Sequence, residues 1–257
     1  MIDALSHATT AIVLRTRPYG ESDKIVSCLT ADHGKITGIA KGAKRSRKRF
    51  VNSLEPFSLI NLRFLDRSHS NLVFILAADL LLGFKTLASC LDKIAFASYL
   101  VEITDGLIGE REENPLVFHH LRKGLNFLEG NDTSLAFLAS FELELLRLAG
   151  YQPSLDSCQR CGKQRNDGLR LCWHFSVKDG GIVCEGCAGL NGEIQPVDAV
   201  TLATLAHLQQ KRGEPSSGVS PPSSVLKEIR LIVLPFIQFH INREIRSASF
   251  LHQFCAL

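Results

Sequence analysis

Four cysteines in two matched pairs carry the clearest chemistry in this sequence. Cys158 and Cys161 stand in CQRCG, Cys184 and Cys187 in CEGC, and residues 162–183 separate the pairs. Two thiolates two residues apart reach adjacent vertices of a tetrahedron, so two such knuckles facing each other complete a closed four-cysteine site for one structural Zn²⁺. The intervening LRLCWHFSVKDGGIVC reads as a hairpin turning at Gly180 and Gly181, which returns the second knuckle to the first. Cys172 and His174 lie inside that hairpin and belong to neither pair; four soft thiolates already fill a structural site, so neither is expected as a ligand. A redox dithiol uses one Cys-x-x-Cys in a βαβ context, and here there are two pairs and no such context. Cys28, Cys90 and Cys255 are single, sit in apolar patterns and are expected to be buried packing residues.

A second cluster is electrostatic. KGAKRSRKRF at residues 41–50 places Lys41, Lys44, Arg45, Arg47, Lys48 and Arg49 in ten residues without an acid. The whole chain has 29 Lys and Arg against 26 Asp and Glu, a net +3; without those six residues the balance is 23 against 26, or −3. The positive charge is therefore local, and a concentrated cationic segment suits a concentrated anion such as a phosphate backbone better than it suits general solubility. A solvated flexible loop is the plainer alternative. Tyr19 and Phe50 flank the basic elements and are candidates for stacking on bases, while Phe57 and Phe64 fall on opposite faces by strand parity, so at most one of them faces outward.

No catalytic constellation accompanies these clusters. The sequence lacks a P-loop, a Gly-x-Ser-x-Gly elbow, a His-Glu-x-x-His pair and the His-x-Glu of a zinc deaminase. A catalytic zinc also keeps a coordination position open, whereas four Cys close it. The expectation is a protein that is not an enzyme and has no small-molecule substrate. The span from Cys158 to Cys187 holds five basic and three acidic residues, and its formal +2 is cancelled by the net −2 of four thiolates on one Zn²⁺. Such a module is expected to brace the fold or a protein partner, leaving nucleic acid to the basic segment.

Elements must hold these groups. TAIVLRT, KIVSCLT, KITGIA, FSLINLRF and NLVFILAA are short β-branched and apolar runs separated by turn chemistry, five strands within residues 1–80. Five strands are too few for a two-sheet sandwich and suit a small closed barrel, of which the oligonucleotide-binding (OB) fold is the commonest; the basic segment then connects the third and fourth strands. From about residue 83 the period changes to three and four, in SCLDKIAFASYLVEITDGLI and in TSLAFLASFELELLRLAG, the latter with Thr133 or Ser134 as cap and a stop at Gly150 and Pro153. DAVTLATLAHLQ and VLKEIRLIVLPFIQFHINREI continue the helical pattern, with a bend expected at Pro235 and a loop or linker at RGEPSSGVSPPSS. The expected organisation is an α+β chain: residues 1–80 an OB barrel binding DNA, 81–150 and 191–257 a helical bundle, and 151–190 an inserted zinc module.

The N-terminus has no basic region ahead of an apolar stretch, and LVFILAADLLLGF is interrupted by Asp79 and too short to span a bilayer. A cytoplasmic location without membrane attachment is expected, where thiols stay reduced and clustered cysteines point to metal.

AIVLRTRPYGESDKIVSCLTADHGKITGIAKGAKRS, then LEPF, FELELLRLAGYQPSLDSCQRCG, GGIVCEGC and REIRSASFL, in that order, resemble the bacterial recombination mediator RecO family. The resemblance implies an N-terminal OB barrel followed by a helical bundle with a zinc module. It also implies a nucleoid-associated protein that binds single- and double-stranded DNA, anneals complementary strands, engages the single-stranded DNA-binding protein SSB, and works with RecR to help load RecA. Some members lack the cysteines, so the metal is not essential to the family's activity; this chain retains all four. A zinc-ribbon OB protein of RNA or transcription is the competing class, and would call for contacts to 2′-hydroxyls and splayed bases.

Overall fold

The computed structural model describes residues 6–67, 70–165, 172–189, 194–211 and 221–253, which fall into two compact units, Met1–Asp132 and Thr133–Leu257.

Five strands open the first unit: β1 (Ser6–Tyr19), β2 (Asp23–Thr30), β3 (Lys35–Ala40), β4 (Leu59–Arg67) and β5 (Ser70–Leu82). They close into a barrel in the order β1-β2-β3-β5-β4, with β3 and β5 parallel and the other pairs antiparallel, so the expected OB barrel is found. Alternate inward residues, among them Val13, Val26, Cys28, Ile36, Leu62, Phe64, Val73 and Ile75, fill the interior. Gly38 makes that filling possible, because a Cβ there would lie 2.6 Å from a Val73 methyl. The 14-residue β1 serves both β2 and β4, and a bulge between Val13 and Arg15 buries Leu14 beside Val13. Beyond the bulge Arg15, Arg17 and Tyr19 share the outward face and are exposed.

Two helices complete this unit, α1 (Leu91–Leu107) and α2 (Pro115–Gly130). Buried Lys35 at the start of β3 donates to the Asp105 carbonyl of α1 at 2.6 Å and pairs with its carboxylate at 3.3 Å. Glu129 of α2 accepts from the backbone N–H groups of Thr86 and Leu87 at 3.0 and 2.8 Å, closing the turn that leads into α1.

In the second unit α3 (Leu135–Leu148) begins at Ser134, whose hydroxyl accepts from the Phe137 N–H, and stops ahead of Gly150 at φ 82°. The cysteine module supplies β6 (Trp173–Ser176), β7 (Gly181–Cys184), the short α4 (Glu185–Ala188) and β8 (Ile194–Val197), with sheet order β7-β6-β8. Helices α5 (Ala199–Gln210), α6 (Ser223–Ile241) and α7 (Arg246–His252) follow. Asp198 caps α5, and α6 runs through Pro235 to Ile241. The expected loop at 212–224 lies mostly outside the described residues, as does Cys255. An ion pair between Glu142 of α3 and Arg230 of α6, 1% and 4% exposed, is buried among the apolar faces of these helices. Phe175 of β6 meets Phe236 of α6 edge to face at 5.4 Å, which fastens the small sheet to the helices. Among the described residues no helix is long and apolar enough to cross a membrane.

Candidate functional site

The sulfur atoms of Cys158, Cys161, Cys184 and Cys187 all lie within 4.8 Å of one another, with Cys161 and Cys184 at 3.6 Å. Tetrahedral ligation at a metal–sulfur distance of about 2.3 Å requires sulfurs about 3.8 Å apart, so the quartet has the spacing of a tetrathiolate site. The hairpin creates it: Ser176 and Gly181 pair across the turn, Gly180 takes φ 78°, and Trp173 lies opposite Cys184. Backbone bonds from Gln159 to Ile182 and from Ile182 to Ser154 then lay the first knuckle along β7. Arg160 ties the parts together, donating to the Asp179 carboxylate at 3.1 and 2.9 Å and to the Cys187 carbonyl at 2.8 Å.

The thiols are not equivalent before a cation binds. Burial works against the thiolate of Cys158, but N–H groups of Cys184, Cys161 and Arg160 directed at its sulfur outweigh this and bring it down to about 6. Cys187 is pushed up to about 12 by hydrogen bonding with the Cys184 and Cys161 sulfurs, with burial adding to the effect. The N–H groups directed at the Cys158 sulfur are the kind of support that thiolate ligands of metals use. Cys172 is exposed and His174 half-buried; neither joins the quartet. Of the single cysteines, Cys28 is fully buried as expected, whereas Cys90 is only half-buried because it stands at the N-cap of α1.

The basic segment lies in the β3–β4 connection and has a defined shape. Gly42 at φ 67° turns the chain into a short 3₁₀ turn, Ala43–Arg45. Asp23 accepts from the Gly42 N–H at 2.8 Å, and this bond, with the Ser22 hydroxyl and the nearby Lys41 and Lys44, holds its carboxyl below the usual range. Lys44 is bound twice to the β1–β2 turn, through its N–H to the Ser22 carbonyl and through Nζ to the Gly20 carbonyl at 2.7 Å. Ala43, Phe50 and Leu54 plug into the barrel core and anchor the segment from within. All six cations are exposed. Arg49 donates to the Lys41 carbonyl at 2.8 Å, while Arg45, Arg47 and Lys48 make no side-chain hydrogen bond or ion pair among the described residues.

The aromatic candidates sort differently from the sequence expectation. Tyr19 is 53% exposed beside the turn that Lys44 grips. Phe50 is buried, with the Arg49 guanidinium 5.0 Å from its ring, and so faces the core rather than solvent. Phe64 is buried as well. Phe57 precedes β4 at φ 74° and is half-buried, so strand parity does not govern it. Arg15 and Arg17, unpaired among the described residues, extend the cationic surface over β1; the i, i+2 spacing in VLRTRPY is the signal that identifies them.

The chain therefore combines a small barrel carrying a fixed, exposed basic turn with a helical unit carrying a tetracysteine cluster. Residues 3–84 match the family model "Recombination protein O N terminal" and residues 88–249 match "Recombination protein O C terminal". The chain belongs to the RecO family. Proteins named DNA repair protein RecO are similar along nearly the whole chain. The protein of Anaeromyxobacter sp. strain K is 35% identical over 246 residues, covering 95% of each chain. That of Syntrophus aciditrophicus is 32% identical over 250 residues, covering 96% of each. That of Myxococcus xanthus is 33% identical over 243 residues, covering 95% of this chain and 96% of its own. Membership in the RecO family does not favour the alternative of an RNA or transcription protein.

Proposed function

We propose that the chain is a non-enzymatic, cytoplasmic mediator of recombinational repair that binds single- and double-stranded DNA, anneals complementary strands, and with RecR helps load RecA onto SSB-coated DNA. The observation that carries this reading is the basic turn: six exposed cations on a framework pinned to the barrel, three of them without a side-chain hydrogen bond or ion pair among the described residues. Lysine and arginine neutralise phosphates and release condensed counterions, which gives sequence-independent binding that weakens as salt rises. Annealing then needs no chemical step. A cationic surface that holds two polyanions without reading their bases raises their local concentration and lets pairing proceed. The participation of RecR, SSB and RecA is supported by family membership and by the repair function in the relatives' names.

Zn²⁺ is the proposed ion at the cysteine cluster. Four thiolates select a soft tetrahedral cation and leave no open position, so the metal supplies rigidity to residues 155–190 and no reactivity. The Arg160 bridge and the N–H groups on Cys158 are what the chain provides to orient the ligands.

The test is competition at low and moderate salt. Labelled single-stranded DNA should be bound with a strongly negative salt slope and displaced by unlabelled DNA at least as well as by RNA of the same sequence. Salt-independent binding, or preferential displacement by RNA, would overturn the reading.

A further inference from the structure

A row of side chains crosses the outer face of the barrel. Strand register places Ile25 of β2 opposite Ile39 of β3, Ile39 opposite Phe74 of β5, and Phe74 opposite Leu65 of β4. None of the four belongs to the interior cluster, which takes their neighbours Val26, Ala40, Val73, Ile75 and Phe64 instead. Alternation thus turns the row outward. Ile25 and Ile39 are buried, whereas Phe74 and Leu65 are half-buried, and Lys41 and Arg67 lie over the Phe74 ring, Nζ at 5.2 Å and the guanidinium carbon at 4.4 Å from its centroid.

We infer that Phe74, with Lys41 and Arg67 over its ring, is the element by which the barrel distinguishes single-stranded from double-stranded DNA, by stacking an unpaired base on the ring and the guanidinium it supports. The inference rests on the DNA-binding reading of the barrel given above. Half-buried Phe74 and Leu65 under two cations offer two different contacts at close range. An unpaired strand can use both, its bases lying on the guanidinium plane that the ring supports and its phosphates meeting Lys41 and Arg67. A duplex presents phosphates outward and keeps its bases stacked, so it can use only the cations. The basic turn at residues 43–49 serves both forms, because phosphate neutralisation is blind to strandedness. Two neighbouring surfaces on one barrel therefore do different work.

A purely structural role for the ring, in which Lys41 and Arg67 shield the apolar row from water, predicts no difference between the two forms of DNA. The experiment uses the full-length, metal-loaded protein with a labelled single strand and a labelled duplex of equal length. Phe74→Ala should weaken single-strand binding by roughly 5- to 150-fold, the range corresponding to one stacked base, with duplex binding within about twofold of the parent. Phe74→Tyr keeps a stacking face and should restore the single-strand preference, while Phe74→Leu keeps apolar bulk and should not. In Phe74→Trp the new indole should be quenched by the single strand and not by the duplex, measured against the parent, whose one tryptophan is buried Trp173. Equal loss for both DNA forms, no loss for either, or an unquenched indole would overturn the inference and leave the basic turn's role standing. If the parent protein binds neither form, the DNA-binding reading itself fails.

Discussion

Replacing Arg45, Arg47 and Lys48 together by alanine separates electrostatics from architecture, because among the described residues these side chains make no hydrogen bond or ion pair. Lys44 grips the Gly20 carbonyl, Arg49 grips the Lys41 carbonyl, and Ala43 and Phe50 are core residues, so the turn keeps its shape without the three cations. Each phosphate contact contributes about 0.7 to the slope of log affinity against log salt for single strands and about 0.9 for duplex, so losing three should flatten the slope by about 2 and about 2.7. Between 50 and 200 mM salt the variant should then forfeit about 15-fold less single-strand affinity than the parent does, although it binds more weakly throughout. Titration of a labelled oligonucleotide by fluorescence anisotropy at four or five salt concentrations reads both slopes. Exposed charges contribute little to the fold, so the denaturation midpoint should not move. An unchanged slope in a folded variant would refute the assignment, whatever happened to affinity at one salt concentration.

Further outcomes follow from the same reasoning. Metal analysis should find one zinc per chain, and Cys158→Ser or Cys187→Ser should raise amide exchange across residues 155–190 while the barrel stays protected; structural zinc in small modules is worth about 10 to 16 kcal/mol of apparent binding energy, so a protected module without metal would contradict its proposed role. Arg230→Ala should destabilise the second unit by about 3 to 5 kcal/mol in chemical denaturation, because buried Glu142 loses its ion-pair partner Arg230. The double replacement Arg230→Met with Glu142→Leu should recover most of that loss, and failure to recover would mean the pair does more than satisfy itself. Burial pushes the Cys28 thiol up to about 12 against an ordinary value of 9.0. Its folded pKa is the higher one, so its contribution to stability is intact below pH 9.0 and lost as pH climbs toward 12. Mapping of iodoacetamide adducts at pH 8 should accordingly find Cys28 unmodified in the native protein.

The barrel was legible because each of its strands is a short β-branched run ended by turn residues, and the cysteine cluster because its spacing is written directly in the chain. Helix α2 was harder to see. Its segment mixes His119, His120, Arg122, Lys123 and Gly124 into the pattern, and the signal that identifies it is the Asn114 cap followed by Pro115. Strand β8 carries Pro196, which demotes a four-residue run below recognition until it is seen pairing at the edge of its sheet. For the proposed DNA surface, composition located the basic turn but not what fixes it. Phe50 resembles a stacking residue in sequence and is instead the plug that seats the turn, a distinction only packing can make. Phe74 has nothing unusual in its neighbours along the chain, and its cationic setting comes from residues 33 and 7 positions earlier, brought beside it by strand register.

The most direct test of the account is annealing of two complementary single strands precoated with the bacterial single-stranded DNA-binding protein, followed by loss of donor fluorescence between end labels. The parent protein should accelerate duplex formation with no nucleotide cofactor, and the Arg45, Arg47 and Lys48 triple alanine variant should lose most of that acceleration while remaining folded and metal-loaded. A parent protein that leaves the annealing rate unchanged, or a triple variant as active as the parent, would contradict it.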